Sequence, residues 1–220
     1  MIQDLIIWGL AGLASYWVII ALMAVESSFI PFPSEVVVPP AAWYALQHPT
    51  ETNFFLVILA ATLGANIGAL INYYLAAWLG RPVVYKFADS RLGRLCLLSG
   101  EKLEYAEAYF RKHGATSTFV GRLVPAVRQL ISIPAGLSRM SMPTFLLYTT
   151  LGAGSWNVVL ALIGYAIYRL FPNIRTPQDV VAQATEYSHY IGYAILVIVA
   201  CGVLWLLYKN RHRFMGKSKG

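Results

Sequence analysis

The chain has 220 residues, of which 58% are hydrophobic and only 12% are charged. Soluble domains carry roughly 25% charged residues, so this composition excludes an ordinary soluble domain and indicates an integral membrane protein. The formal net charge is +7, and five of the basic residues lie in an acid-free tail at 209–220, which predicts a cytoplasmic tail. No nucleic-acid-binding motif accompanies that tail, so we expect no nucleic-acid partner.

The first half of the chain, residues 1–80, is predicted to hold two membrane spans with a broken segment between them. The apolar stretch before Glu26 is long enough to cross about 30 Å of hydrocarbon as a helix. Residues 27–46 are also apolar, but Pro31, Pro33 and two later prolines interrupt helical hydrogen bonding. This pattern predicts a re-entrant hairpin at 27–46 that turns near the first two prolines.

The next segments change from an uninterrupted apolar run to a charged loop. Residues 54–79 form a predicted full span, with Gly and Ala at four-residue spacing that lets another helix approach closely. Residues 81–114 contain seven basic and four acidic residues, and this positive balance predicts a cytoplasmic location. Within them we predict an amphipathic surface helix that runs from Glu101 to His113 and stops at Gly114.

The second half, residues 115–169, repeats the order of a broken segment followed by a full span. Residues 115–137 are apolar but are interrupted by two arginines and two prolines, Pro125 among them, which predicts a second re-entrant hairpin. Residues 144–168 form the next predicted span. Residues 170–188 carry little net positive charge, so we place them outside the cytoplasm.

A last span at 189–208 is predicted to return the chain to the cytoplasm, so both termini lie inside. The predicted fold is an all-α integral membrane protein with a single membrane domain at 1–208. It combines four full transmembrane helices, two re-entrant helical hairpins that enter from opposite faces, and amphipathic surface helices. Such an arrangement is an inverted repeat, which in transporters places the substrate site near the bilayer midplane.

Four charged residues lie within the two broken segments. Glu26 and Glu35 flank the first, and Arg122 and Arg128 flank Pro125 in the second. A charge at membrane depth costs about 2.5–3.5 kcal/mol even on a lenient insertion scale, so paired acids and paired arginines indicate a site for something polar. Arginine keeps its charge and offers a planar fork of donors that suits phosphate or carboxylate. We therefore expect the arginines to bind an anionic group, and the titratable acids to take part in binding and in proton coupling.

The same four residues admit a structural interpretation, in which Glu–Arg salt bridges only hold the two hairpins together. The two interpretations are compatible, because a pair that breaks during transport does both. Asn66, Asn72 and Asn157 are predicted mainly as hydrogen-bond partners between helices, and Trp156 as a packing residue. The four histidines lie at segment ends, away from carboxylates at metal-ligand spacing, so we expect neither a metal nor a cofactor.

Two motifs carry a resemblance to a known family. The first segment reads E-S-S-F-I-P-F-P-S-E, from Glu26 to Glu35. The second has an aromatic residue followed by Arg, Pro, Arg, Gly and Met, at Phe119, Arg122, Pro125, Arg128, Gly136 and Met140. Together they resemble the DedA family, also called the SNARE-associated Golgi protein or VTT-domain family, over roughly residues 20–165. Family members often place the second acid after a Pro-Gly pair, whereas Pro33-Ser34 precedes Glu35 here.

The resemblance implies a lipid transporter of the bacterial inner membrane, not an enzyme. Bacterial members return undecaprenyl phosphate to the cytoplasmic face, and other members move phosphatidylethanolamine or act as scramblases. We therefore expect a polyprenyl phosphate or another membrane phospholipid as the partner, with undecaprenyl phosphate as the leading cargo and proton coupling as proposed for the family. Several positions are expected to support the site: Pro31, Pro33, Pro125, Asn66, Gly136 and Asn157.

Two functions of other classes stay open. The same charges could serve a proton- or cation-coupled exporter of small solutes. A membrane phosphatase would need a nucleophile with a base beside the basic cluster, and no histidine is close in sequence to Arg122 or Arg128. Ser132 and Ser138 are nearby potential nucleophiles, but neither has an evident base. The sequence leaves the lipid, the coupling ion and the formation of a homo-oligomer undetermined.

Overall fold

The computed structural model describes residues 15–28, 33–90, 100–124, 127–188 and 190, and among these residues there are helices and connecting segments but no β-strand. The helices are α1 (Tyr16–Glu26), a short 3₁₀ helix (Ser34–Val36), α2 (Val38–Gln47), α3 (Phe54–Ala88), α4 (Gly100–Leu123), α5 (Ser132–Leu137), α6 (Met142–Leu170) and α7 (177–188). Pro31, Pro125, nearly all of the predicted last span and the basic tail at 209–220 lie outside the described residues.

The two long helices α3 and α6 are apolar enough to cross a membrane. The buried face of α3 carries mainly small residues, such as Ala61 and Ala65, whereas many of its large apolar side chains point outward. Trp78, for example, is 82% exposed and Phe55 is 72% exposed. A soluble helix buries its large apolar residues, so this reversed distribution fits helices that face lipid and pack on each other through small residues.

Helices α3 and α4 each contain one break, at a position where the sequence predicted the end of a helix. We predicted that the first long span ends at the Gly80-Arg81-Pro82 sequence, but α3 continues to Ala88 after a single non-helical residue, Gly80, with φ of 72°. Glycine adopts this left-handed conformation without steric cost. Pro82 is tolerated two residues after Gly80. Backbone nitrogens in the first turn after a break have no helical hydrogen-bond partner, so the missing N–H of proline loses no hydrogen bond there.

The second break lies at His113, where φ is −137° and ψ is 30°. The surface helix predicted from Glu101 to His113 ends at this break, and a second helical segment of α4 follows at once and runs to Leu123. The surface part of α4 is tied to the end of α3, because Arg81 and Tyr85 both donate hydrogen bonds to the buried carboxylate of Glu107. The predicted cytoplasmic segment and the second broken segment are thus joined by one bent helix.

Within each half, the helix that leads into the break packs closely on a long helix. A Cβ atom added at Gly68 of α3 would lie 2.3 Å from the carbonyl oxygen of Ala24 in α1. A Cβ atom added at Gly152 of α6 would lie 2.6 Å from the Cβ of Arg122 in α4. Only glycine allows backbones this close, so the charged ends of α1 and α4 are pressed against α3 and α6.

The short helices that follow the breaks pack across the halves instead. Helix α2 lies on α6, and α5 lies on α3. A Cβ atom added at Gly164 of α6 would lie 2.4 Å from the carbonyl oxygen of Pro39 in α2, and one at Gly136 of α5 would lie 2.3 Å from that of Tyr73 in α3. The inverted repeat and the entry of the two hairpins from opposite membrane faces stay predictions, since residues 29–32 and 125–126 lie outside the described residues.

Candidate functional site

The four charged residues of the broken segments come together in the interior of the protein. Glu26 is the last residue of α1 and Glu35 lies on the 3₁₀ helix, whereas Arg122 is close to the end of α4 and Arg128 lies in the turn before α5. All four are buried, and the most exposed of them have only 8% of their surface accessible. The expected meeting of opposite charges from the two segments is therefore found for Glu26, Glu35 and Arg128, and the roles of all four residues in binding and proton coupling stay predictions.

Arg128 makes the contacts that join the two segments. Its Nη2 atom lies 2.9 Å from Oε1 of Glu26 and 3.7 Å from Oε2 of Glu35. The first distance is that of a close ion pair, although Oε1 of Glu26 accepts no hydrogen bond among the described residues, and the second is too long for a direct hydrogen bond. The guanidinium also lies over the ring of Trp156, 5.3 Å from its centroid, which is within the range of a cation–π interaction. Arg128 thus has one tight partner, one loose partner and an aromatic wall.

Arg122 has a different role from Arg128, although the sequence treats them as a pair. Its Nη1 donates to the backbone carbonyl of Arg128 at 2.9 Å, and its Nη2 donates to Oγ of Ser132 at 2.8 Å. Both acceptors belong to the second broken segment itself. Arg122 therefore holds the backbone around Arg128 in place, and the two guanidiniums do not compete for the same carboxylates.

Several polar atoms at this site have no hydrogen-bond partner among the described residues. They include the Nε atoms of Arg122 and Arg128 and the Nε1 atom of Trp156, all fully buried. Buried donors without an acceptor are costly, typically about 1–3 kcal/mol each. The cavity between these groups has a volume of about 10 Å³, which is about the space of one water molecule. The site is therefore closed, and donors suited to an anion are held inside it.

Asn72 links the two broken segments behind the charged groups. Its side-chain amide on α3 donates to the backbone carbonyl of Ser27 at 3.2 Å and to that of Gln129 at 3.3 Å. Ser27 follows Glu26 and Gln129 follows Arg128, so one side chain fixes the backbone beside both members of the tightest ion pair. The hydroxyl of Ser27 also donates to Oε2 of Glu26 at 3.0 Å.

The other supporting positions have structural contacts. Asn157 donates to Oγ1 of Thr62 at 3.2 Å and so connects α6 to α3, as expected for a helix–helix partner. Asn66 donates to a backbone carbonyl of its own helix and accepts a hydrogen bond from Thr150 of α6. Gly136 allows the close contact between α5 and α3.

Pro33 precedes the 3₁₀ helix, and its carbonyl accepts a hydrogen bond from the amide of Val36 at 3.2 Å. Pro31 and Pro125 lie outside the described residues, so their predicted roles stay predictions.

Sequence reasoning missed three partners in this site. Trp156 was interpreted as a packing residue, but its ring faces Arg128. Ser132 was considered only as a potential nucleophile, but it accepts a hydrogen bond from Arg122. Asn72 was interpreted as a helix–helix partner, but it bridges two backbone breaks. A polar residue in the middle of an apolar helix is the signal available for Asn72, and nothing in the sequence indicates which way the ring of Trp156 faces.

Comparisons with known proteins agree with this architecture. A family model described as the VTT domain matches residues 30–166. An alkaline phosphatase-like protein of Lactococcus lactis is 33% identical over 207 residues, which cover 93% of this chain and 90% of that protein.

Two relatives carry the name undecaprenyl phosphate transporter A. The one from Staphylococcus aureus is 28% identical over 93% of this chain and 92% of its own length. The one from Bacillus subtilis is 30% identical over 81% of this chain and 82% of its own length. No solved structure matches the chain. The extent of these matches and the two broken, oppositely charged segments show that the chain belongs to the VTT-domain family, also known as the DedA family.

Proposed function

We propose that this protein translocates a lipid phosphate, with undecaprenyl phosphate as its cargo, across the inner membrane of a bacterium. The observation that carries the proposal is Arg128, a buried guanidinium that is paired with carboxylates of the first broken segment, lies over the ring of Trp156 and has an unpartnered Nε. Arginine binds phosphate and carboxylate with the same planar fork of donors. A phosphate can therefore replace the carboxylates on Arg128 without leaving the arginine unpaired at any stage.

In this mechanism the closed site is the resting state. Glu26 and Glu35 neutralise Arg128 while no cargo is bound. Proton uptake by these acids removes their attraction for Arg128, and the lipid phosphate takes their place. The polyprenyl chain stays among the lipids, because transferring its many CH₂ and CH₃ groups to water would cost about 0.8 kcal/mol for each buried group. The cavity must widen from its closed volume to admit a phosphate, so transport requires movement of the two broken segments.

The names of the relatives support transport and also raise a second function. Two relatives are named as undecaprenyl phosphate transporters, and another as an alkaline phosphatase-like protein. A phosphatase needs an activated nucleophile beside the basic cluster. Ser132 is the hydroxyl nearest to Arg122, but it accepts a hydrogen bond from that arginine at 2.8 Å, which leaves its oxygen less nucleophilic. We therefore propose transport without hydrolysis.

The test uses purified protein in liposomes that contain a short-chain fluorescent polyprenyl phosphate, with headgroup accessibility measured in each leaflet. Arg128→Ala should reduce the initial rate by about tenfold to a hundredfold, because it removes charge-assisted contacts to the phosphate. Arg175→Ala, which removes an exposed arginine elsewhere, should leave the rate unchanged. Undiminished flipping in a monodisperse Arg128→Ala preparation would overturn the assignment, and Arg128→Lys provides a variant that keeps the charge if the alanine variant fails to fold.

Further arms of the same assay separate the alternatives. A fluorescent phosphatidylethanolamine that moves as fast as the polyprenyl phosphate would indicate a general phospholipid scramblase or flippase. If transport is coupled to protons, making the liposome interior more acidic or more alkaline than the outside should change the rate of lipid movement. Transport of a small solute without lipid movement would indicate an exporter, and release of inorganic phosphate would indicate the phosphatase.

A further inference from the structure

A second cavity lies at the far ends of α2 and α6, away from the charged site. Its volume is about 570 Å³, within the usual range of small-molecule sites. It is lined by Trp43 and Gln47 from α2 and by Tyr168, Arg169 and Phe171 at the end of α6. We call this cavity the vestibule. It combines a cation, an amide and aromatic rings, which is the composition expected where an anionic headgroup lies at a membrane–water boundary.

Arg169 is available to a ligand in the vestibule. The arginine is exposed, and in the part of the chain that the structure describes it has neither an ion pair nor a hydrogen bond through its side chain. Trp43, in contrast, is only 3% exposed and forms a fixed wall. The vestibule therefore pairs an uncommitted guanidinium with a rigid aromatic surface, as anion-binding sites at interfaces do.

The helices that form the vestibule also lead to the charged site. Gly164, in the last two turns of α6, lies against the backbone of Pro39 at the start of α2, and Glu35 lies just before α2. Trp156 and Arg169 are thirteen positions apart on α6, which corresponds to about 20 Å along a helix. Half of the hydrocarbon core measures about 15 Å. If the charged site is at the midplane, the vestibule is at the level of the lipid headgroups.

One face of α6 offers a place for a lipid chain that ends at the vestibule. Leu162, Tyr165 and Arg169 lie at i, i+3 and i+7 and therefore share a face of the helix. Leu162 and Tyr165 are 53% and 42% exposed. An apolar, exposed strip that ends in Arg169 fits a long-chain lipid phosphate better than it fits inorganic phosphate.

From these observations we propose that the vestibule is a docking site for the phosphate of a lipid phosphate, which binds there before it moves along α2 and α6 to Arg128. The proposal rests on the proposed function. The sparse positive charge of residues 170–188 predicts that the vestibule faces the outside, so it would receive the lipid from the outer leaflet. Arg169 would bind the phosphate, and Gln47 and Tyr168 would donate further hydrogen bonds to it.

The first experiment measures transport as a function of the mole fraction of polyprenyl phosphate supplied to the leaflet next to the vestibule. Arg169→Gln should raise the half-saturating mole fraction about threefold to tenfold, since one charge-assisted contact in a partly hydrated site is lost. The maximal rate should stay within about twofold, because Arg128 is unchanged. Arg175→Gln removes an exposed positive charge from the segment that follows α6, and Arg175 does not line the vestibule, so this variant should behave like the unmodified protein.

The second experiment detects docking without transport. A polyprenyl phosphate with a photoreactive diazirine near its phosphate should crosslink to the segment at 168–172, as mapped by mass spectrometry of the full-length protein in liposomes. Crosslinking should persist in Arg128→Ala and fall in Arg169→Gln. Excess unlabelled polyprenyl phosphate should compete, whereas neutral polyprenol should not. Competition by millimolar inorganic phosphate at equal strength would show that the free anion, not the lipid, is recognised.

The outcomes distinguish the two proposals. If the unmodified protein moves no lipid but crosslinks at the vestibule through Arg169, the proposed function fails and the docking site stands. If transport occurs and depends on Arg128 but Arg169→Gln matches Arg175→Gln in both experiments, the docking site is refuted and the proposed function stands.

Discussion

The contacts of Arg128 predict that its two carboxylate partners contribute unequally to stability. Glu26 lies 2.9 Å from the guanidinium, whereas Glu35 lies 3.7 Å away. Glu26→Gln keeps the size of the side chain and an oxygen that can accept a hydrogen bond, but it removes the charge. Breaking one partner of a buried ion pair costs up to about 3–5 kcal/mol. Because Arg128 would keep Glu35, we expect about 2–3 kcal/mol for Glu26→Gln.

The corresponding change at Glu35 should cost about 1 kcal/mol, because it removes only an attraction across a longer gap. For a chain of this size, each kcal/mol lowers the midpoint of thermal unfolding by about 2–4 °C. We therefore expect decreases of about 4–12 °C for Glu26→Gln and about 2–4 °C for Glu35→Gln. The assay is the thermal midpoint in detergent, followed by the fraction of protein that stays monodisperse after heating.

The control is Glu51→Gln, an exposed acid that accepts a hydrogen bond from Tyr44 and should change the midpoint by less than about 2 °C. In a double-mutant cycle, Glu26→Gln combined with Arg128→Gln should lose less than the sum of the two single losses, since the pair is in direct contact. An equal or larger decrease for Glu35→Gln than for Glu26→Gln would refute the assignment of the tight partner. Additivity in the cycle would refute the contact itself.

Two further predictions concern packing and the link between the broken segments. Gly136→Ala should lower the free energy of unfolding by about 1–3 kcal/mol, because the new Cβ would lie 2.3 Å from the carbonyl oxygen of Tyr73. The control Gly154→Ala, whose Cβ would have its nearest neighbour at 3.6 Å, should be neutral or slightly stabilising. Thermal midpoints that fall equally in the two variants would contradict this prediction. Asn72→Ala should cost about 1–3 kcal/mol, since it leaves two buried carbonyls beside the charged site without their donor, and it should also reduce lipid transport, while Asn66→Ala should alter stability without reducing transport. Equal transport in the two asparagine variants would show that the bridge has no part in the site.

The sequence was sufficient to predict that opposite charges meet in one site, but not to predict which group each charged residue contacts. Charges at membrane depth must be paired, so two acids and two arginines in broken segments predict a common site. Whether Arg122 binds a carboxylate or a backbone carbonyl depends on the path of the chain after the break, and the spacing of residues does not determine that path. The rotation of α6 against its neighbours decides whether the ring of Trp156 meets Arg128. The apolar composition of α6 does not indicate that rotation, so the contact could not be predicted from the sequence.

Helix ends were harder to predict than helix positions. Gly80 and Gly114 were both interpreted as ends, because glycine often terminates helices. In the structure, a helical segment does end at Gly80, which is left-handed, and another ends at His113, just before Gly114. In both places a new helical segment follows without a connecting loop, so α3 and α4 are longer than the predicted helices.

The exchange of short helices between the halves has a consequence for biosynthesis. The backbone of Pro39 finds its tight contact at Gly164, about 125 residues later in the chain, and translation at about 5–20 residues per second leaves α2 without that partner for roughly 6–25 seconds. During this interval a proline-rich, partly polar segment has left the ribosome but cannot reach its final place. We therefore expect the nascent first half to need shelter from the insertion machinery or a chaperone. A gene split between residues 90 and 100 should yield two fragments that are degraded separately and that survive only when they are made together.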